Sequence, residues 1–184
     1  MTDGFTEIVH KILQRSDVHV DAIPSLDLYI DQIITLLDQE LGNNKRNEKD
    51  KILTKTMVNN YSKQGILKPI KGKKYSKDHI IQMLIIYSLK NTLSIEEIKR
   101  ILQPIYKLSD ENNVDLSHIY DHYLELKEDK KEVMAVAIDT ILRDEKLNLA
   151  QDEDRLVMVL CLCALSEFSK SVAQELIDQY YPVK

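Results

Sequence analysis

Glycine and proline are scarce, with four of each in 184 residues, so few positions interrupt the chain and long stretches favour helix. Cysteine is scarcer still. Cys161 and Cys163 both lie in the run LVMVLCLCAL, and alternate positions on a helix diverge by about 200°. They do not bridge each other and are expected as two small apolar core residues, with no disulfide framework pointing to an oxidising compartment. That apolar run spans ten residues, against the about 20 needed by a membrane-spanning helix. The N-terminal MTDGFTEIVHKILQRSD carries acids inside its apolar pattern instead of a signal-peptide arrangement. A soluble cytoplasmic protein with no membrane partner is expected. No internal repeat, low-complexity tract, glycine-rich phosphate loop, nucleophile–base pairing or paired acidic motif stands out, so neither enzymatic activity nor a cofactor is expected.

What is present is the composition of a folded chain, 43% hydrophobic and 30% charged, long enough for one large domain or two small ones. FTEIVHKILQ (5–14) sets Phe5, Ile8, Val9, Ile12 and Leu13 at helical spacing. IPSLDLYIDQIITLLDQELG offers Ser25 as N-cap, an apolar face through Ile33, Leu37 and Leu41, and Gly42 as terminator. NNKRNEKD (43–50) has no apolar residue and reads as an exposed connector. A helix from about Lys51 or Thr54 to Gln64 ends at Gly65, ILKPIKGKKYS reads as a small hairpin turning near Gly72, and Ser76 caps KDHIIQMLIIYSLKN. Ser94 with Glu97 forms a capping box opening IEEIKRILQPIY. Beyond 107–115 three further helices are expected, at roughly 116–129, 131–146 and 153–180, the last either continuous or broken near Ser169. RLVMVLCLCALSEF is apolar on nearly every side and is expected as the central helix of a bundle or as part of a subunit interface.

The net charge of −5 hides a local excess of the opposite sign. Residues 45–77 hold eleven Lys or Arg and two acids, a balance of +9, whereas 1–44 balance to −6, 78–108 to +1 and 109–184 to −9. On a wheel of about 100° per residue, Met57, Val58 and Tyr61 share an apolar face and Lys55, Thr56, Asn59, Asn60 and Lys63 share the outward one. Lysine neutralises phosphate or donates to guanine, asparagine pairs with adenine through two hydrogen bonds, and the threonine methyl meets thymine. Lys68, Lys71, Lys73 and Lys74 crowd the expected turn with no acid near them in sequence, where repulsion costs stability unless an anion is present. A solvated helix face and a solubilising charge cluster account for the same residues.

TMVNNYSKQGIL, then KKYSKDHI, then LSIEEIKRIL resembles the winged helix-turn-helix of MerR-type regulators: a recognition helix with a tyrosine-bearing turn, a basic wing closing on Tyr-Ser, and two helices. More closely, residues 23–105 resemble the bacterial domain-of-unknown-function family numbered 1836. The resemblance implies MerR-like DNA binding and carries no established activity. By it, Thr56, Asn59, Asn60 and Lys63 fall on outward recognition-helix positions, Lys71, Lys73 and Lys74 on the wing, and Tyr61 on a packing position at the helix–wing junction. Two departures stand out. The connector 42–50 exceeds the 3–4-residue turn usual between motif helices, and an acidic multi-helix region replaces the long coiled-coil dimerisation helix.

His118 and His122 are i, i+4 with Glu125 on the same face, a usable metal spacing that lacks a fourth ligand, so no metal is expected. His79 is expected at the surface or an interface. The acid run QDEDR suits a helix N-terminus.

The expected architecture is all-α with a small β-wing: an N-terminal helical extension at 1–19, a winged-helix DNA-binding-like domain at 20–108 and an acidic C-terminal helical region at 109–184. The expected function is sequence-specific DNA binding in transcription regulation, without a defined effector. The expected partners are double-stranded DNA and a second copy, since two-fold dimers commonly read DNA half-sites. The alternative is a non-enzymatic protein–protein interaction module whose basic block docks an acidic partner.

Overall fold

The computed structural model describes residues 3–144 and 146–183. Among them are seven α-helices and two short strands: α1 (Asp3–Leu13), β1 (Leu28–Tyr29), α2 (Ile30–Leu41), α3 (Lys55–Gln64), β2 (Lys74–Tyr75), α4 (Lys77–Leu89), α5 (Ile95–Asp110), α6 (Leu116–Asp144) and α7 (Asp152–Tyr180). They form two compact units, one of Ser16–Leu124 with Gln174–Lys184 and the other of Met1–Arg15 with Glu125–Ala173.

In the first unit α4 is the central helix. Ile80, Ile81, Gln82, Met83, Leu84 and Ile86 are all buried, so every side of the helix is covered. Around it lie Ile33 and Leu37 of α2, Val58 and Tyr61 of α3, Ile98, Leu102 and Tyr106 of α5, Leu116, Tyr120 and Leu124 of α6, and Ile177 of α7. α4 starts with a capping box between Ser76 and His79, and α5 with one between Ser94 and Glu97, so orphan N–H groups at both N-termini find acceptors. Pro104 removes one N–H from inside α5 without ending it. Arg100 donates to the carbonyls of Tyr181 (2.8 Å) and Ile177 (3.1 Å) and to the Asp178 carboxylate (2.8 Å), which fastens the end of α7 to α5.

The expected hairpin at 66–76 does not form. The Ile66 carbonyl accepts from the buried Tyr106 hydroxyl at 2.8 Å, the Lys68 N–H donates to Gln82 Oε1 at 2.9 Å, and Pro69 has no N–H to give. With these ladder groups committed, Lys74–Tyr75 pairs instead with Leu28–Tyr29, antiparallel, Leu28 opposite Tyr75 and Tyr29 opposite Lys74. Gly72 still makes the turn, at φ 83°. That pairing also moves the start of α2: Tyr29, and not Ser25, is its N-cap, because residues 28–29 are held extended in the strand.

Two other expectations need correction. α6 runs unbroken through Asp129–Lys131, and α7, of the two forms open to it, is the continuous one through Ser169, whose hydroxyl bonds back to the Leu165 carbonyl at 2.9 Å. Nor is α7 a buried central helix: Leu156, Val159, Leu160 and Phe168 are 55–70% exposed, Cys163 is exposed and Cys161 half-buried. As a single 29-residue helix, α7 contains an 18-residue window of mean hydropathy 1.7, of which 6% is buried, long and apolar enough by composition to cross a membrane.

α3 ends as expected, with Gly65 left-handed at φ 72° and its N–H bonded to Ser62 O. A Cβ there would lie 3.6 Å from Gln103 Nε2 and 3.9 Å from Lys99 Cε, ordinary contact distances, so the cost of adding one is backbone strain. Gly65→Ala is expected to lower stability by about 1–2 kcal/mol in urea unfolding followed by circular dichroism, and an unchanged midpoint would show that the cap is dispensable.

Candidate nucleic-acid interface

α3 is fixed at both ends before its exposed face is considered. Thr54 caps it, accepting the Met57 N–H at 3.1 Å. Just upstream, Ile52 and Leu53 are buried, and Lys90, at the C-cap of α4, donates to the Ile52 carbonyl at 3.2 Å. Burial lowers the Lys90 pKa from its ordinary value. The connector before this point is also tied down, since Asn44 exchanges two hydrogen bonds with the Ser16 backbone at 2.9 and 2.7 Å. At the far end the Tyr106 and Gln82 bonds hold Ile66 and Lys68. Val58 and Tyr61 face the core, and burial raises the Tyr61 pKa.

Lys55, Thr56, Asn59, Asn60 and Lys63 are all exposed on the opposite side, as the wheel predicts. Thr56, Asn59 and Asn60 make no side-chain hydrogen bond among the described residues. Lys71, Lys73 and Lys74 are exposed too, and the chain from Gln64 to Lys71, seven residue steps, spans at most about 25 Å. Not every lysine is free, however. Lys55 reaches Asp31 at 2.7 Å, Lys68 reaches Asp110 at 2.6 Å and lies 5.4 Å from the Tyr106 ring centre, and Lys74 sits 5.2 Å from the Tyr29 ring centre. The expectation that the cluster lacks acids therefore fails for Lys68, because folding brings Asp110 across 42 residues of sequence. Among the described residues Lys63, Lys71 and Lys73 have no ion pair.

The fold adds two polar residues that the sequence did not suggest: Lys99 and Gln103 of α5 border Gly65 at the end of α3. They are one helical turn apart and look, in sequence, like any solvated face of α5. Elsewhere, the His118 and His122 rings stack 6.4 Å apart on an exposed face of α6, and no group of three or more His, Cys, Asp or Glu among the described residues could hold a metal.

Behind the basic segment sits His79. It is half-buried, edge-on to Tyr75 at 6.0 Å, and its Nδ1 accepts the Ser76 N–H at 3.3 Å, which only the neutral ring can do. Burial pulls its pKa below the ordinary 6.5, partly offset by the Pro69 carbonyl and the carboxylates of Asp78 and Asp27. Its Nε2, like Gln82 Nε2, is buried without a hydrogen bond of normal length among the described residues.

The family described as "Domain of unknown function (DUF1836)" matches residues 18–123, which include α3, the basic segment, α4 and α5. No curated protein and no solved structure matches the chain.

Because the folded state binds a proton at His79 less readily than the unfolded chain, its contribution to stability is complete above pH 6.5 and is lost as pH falls from there through the lower folded value. Melting temperatures followed from pH 7.5 downward are expected to fall less in His79→Gln than in the unchanged protein, and parallel curves would refute this role for His79.

Proposed function

The chain belongs to the domain-of-unknown-function family DUF1836, and we propose that it binds double-stranded DNA, with α3 as the reading helix and residues 68–74 as a basic strap on the phosphates. The observation that carries this is the outward face of α3: two lysines, two asparagines and a threonine, all exposed, with no carboxylate on the helix itself. A helix is about 10–12 Å across with its side chains, close to the width of the major groove at about 12 Å. Phosphate contacts from lysine set position, and asparagine and threonine supply the hydrogen bonds and methyl contact that distinguish bases.

The order of elements supports a winged helix-turn-helix of MerR-like type: a short strand, a helix, the reading helix with a left-handed Gly65 exit, a basic segment ending in a strand at Tyr75, and two further helices. Regulation of transcription is the function such a module serves. The acidic-partner reading has one point in its favour, since Lys55 and Lys68 already engage carboxylates of this chain. Those pairs are surface interactions worth roughly 0–1 kcal/mol each, too weak to withhold either lysine from a phosphate.

Replacing Lys71, Lys73 and Lys74 together by Ala is expected to weaken binding to every duplex and to lower the log–log salt slope by about 0.9 for each phosphate that is no longer neutralised. Unchanged affinity and slope would remove the strap. On a site selected from randomised duplex DNA, Asn59→Ala or Asn60→Ala is expected to cost about 1–3 kcal/mol while binding to scrambled DNA stays nearly constant. Equal losses on both DNAs would reduce the asparagines to backbone-binding groups, and no loss on either would favour an acidic protein partner.

A further inference from the structure

In the unit of Met1–Arg15 with Glu125–Ala173, the buried apolar cluster among the described residues is Phe5, Leu142 and Met158, with Val9, Ile138, Ile141, Leu147, Leu149 and Leu162 packed against it. α7 contributes Met158 and Leu162 to that cluster. On a wheel of about 100° per residue these two lie near 200° and 240° when Leu156 is set to 0°. Leu160 then falls near 40°, Ala164 near 80°, Val157 near 100° and Phe168 near 120°, so a second apolar stripe runs along a different side of the same helix. Its members are exposed: Leu156 60%, Val157 43%, Leu160 58% and Phe168 70%. Positions 157, 161, 164 and 168 alternate in steps of four, three and four, the spacing of a helix–helix seam, and they hold Val, Cys, Ala and Phe.

We infer that this stripe of α7 is covered by a second copy of the chain, in a homodimer. Area is the first argument. Side chains of this size hide about 100 Å² each when fully covered, and together with half-exposed Leu165 and Val172 the stripe exposes on the order of 300 Å² of apolar surface. Since little more than half of a typical interface is apolar, that implies about 600 Å² per copy, the lower bound of the stable class at about 1,200 Å² in total.

Charge is the second argument, and it separates a second copy from a lipid bilayer. The segment of α6 that belongs to the same unit reads ELKEDKKEVMAV from Glu125 to Val136, seven of its first eight residues being charged. Burying α7 in hydrocarbon would carry these charges toward it or strip the unit apart. Glu167 and Lys170 also interrupt α7 itself, where a partner helix tolerates polar groups at the rim and a bilayer does not. The small residues Cys161 and Ala164 at the middle of the seam let two helices approach closely.

The full chain, run in sedimentation equilibrium across micromolar concentrations, is expected to show a dimer mass. Leu160→Glu combined with Phe168→Glu is expected to raise the dissociation constant at least about a hundredfold with unchanged helical circular dichroism. Of the two cysteines of the chain, Cys161 lies on the seam and Cys163 about 200° from it on the wheel, so two-fold pairing brings Cys161 near its copy. A short bismaleimide should link the unchanged protein into a covalent dimer in buffer and not in urea, a readout independent of whether the double variant folds. A monomer at every concentration, a double variant that dimerises as tightly as the parent, or absence of the covalent dimer would each overturn the inference. Flotation of monomer with phosphatidylcholine vesicles would overturn it in favour of a lipid surface.

Discussion

Two hydrogen bonds at the exit of α3, one buried and one half-buried, hold the architecture of the DUF1836 region together. Tyr106 of α5 donates to the Ile66 carbonyl and Gln82 of α4 accepts the Lys68 N–H, so the chain leaving α3 is clamped between the two helices that follow it. Gln82 is fully buried, and breaking its bond would leave a backbone donor without a partner at a cost of about 1–3 kcal/mol. Three features descend from this clamp. The polar face of α3 is held outward because Val58 and Tyr61 cannot leave the core. The segment 68–73 cannot fold back on itself as a hairpin. The strand at Lys74–Tyr75 is therefore free to pair with Leu28–Tyr29, which in turn sets where α2 begins.

The same clamp governs the electrostatics. It buries the backbone at 66–68 while leaving the lysines after it in water, so the positive charge concentrated at 45–77 is displayed on the surface instead of being neutralised inside. The ion pairs that do form, Lys55 with Asp31 and Lys68 with Asp110, join side chains on different elements, and the aspartates are about 70% exposed. Salt and competing anions weaken such pairs readily. His79 lies beneath this surface as a neutral ring and adds no charge to it at neutral pH.

The two units rest on cores of different size. One is built around a helix buried on every side, with more than twenty buried apolar residues. The other buries three and leaves most of the apolar side chains of α7 in water. A small core gains little from hydrophobic burial relative to the chain entropy it must overcome. Covering the α7 stripe is thus a matter of stability for that unit as well as of association.

Local chemistry in the sequence was enough to define the helix ends that depend on neighbouring residues: Gly65, Ser76 with the following turn, and Ser94 with Glu97 all cap where the spacing places them, because a cap needs only groups three or four residues away, and of the two starts open for α3, Lys51 and Thr54, the fold takes Thr54. The outward face of α3 was legible for the same reason, since helical periodicity alone sorts Val58 and Tyr61 from Asn59 and Asn60. What tertiary structure decided are the features that depend on distant partners. Asp110 meets Lys68, Lys99 comes to the end of α3, and β2 finds β1 because long-range packing brings them together, and no local pattern encodes those approaches. Which of two strongly apolar helices occupies the centre was likewise undecidable from composition: KDHIIQMLIIYSL and RLVMVLCLCALSEF are both apolar nearly all round, and only α4 has helices on every side to bury it.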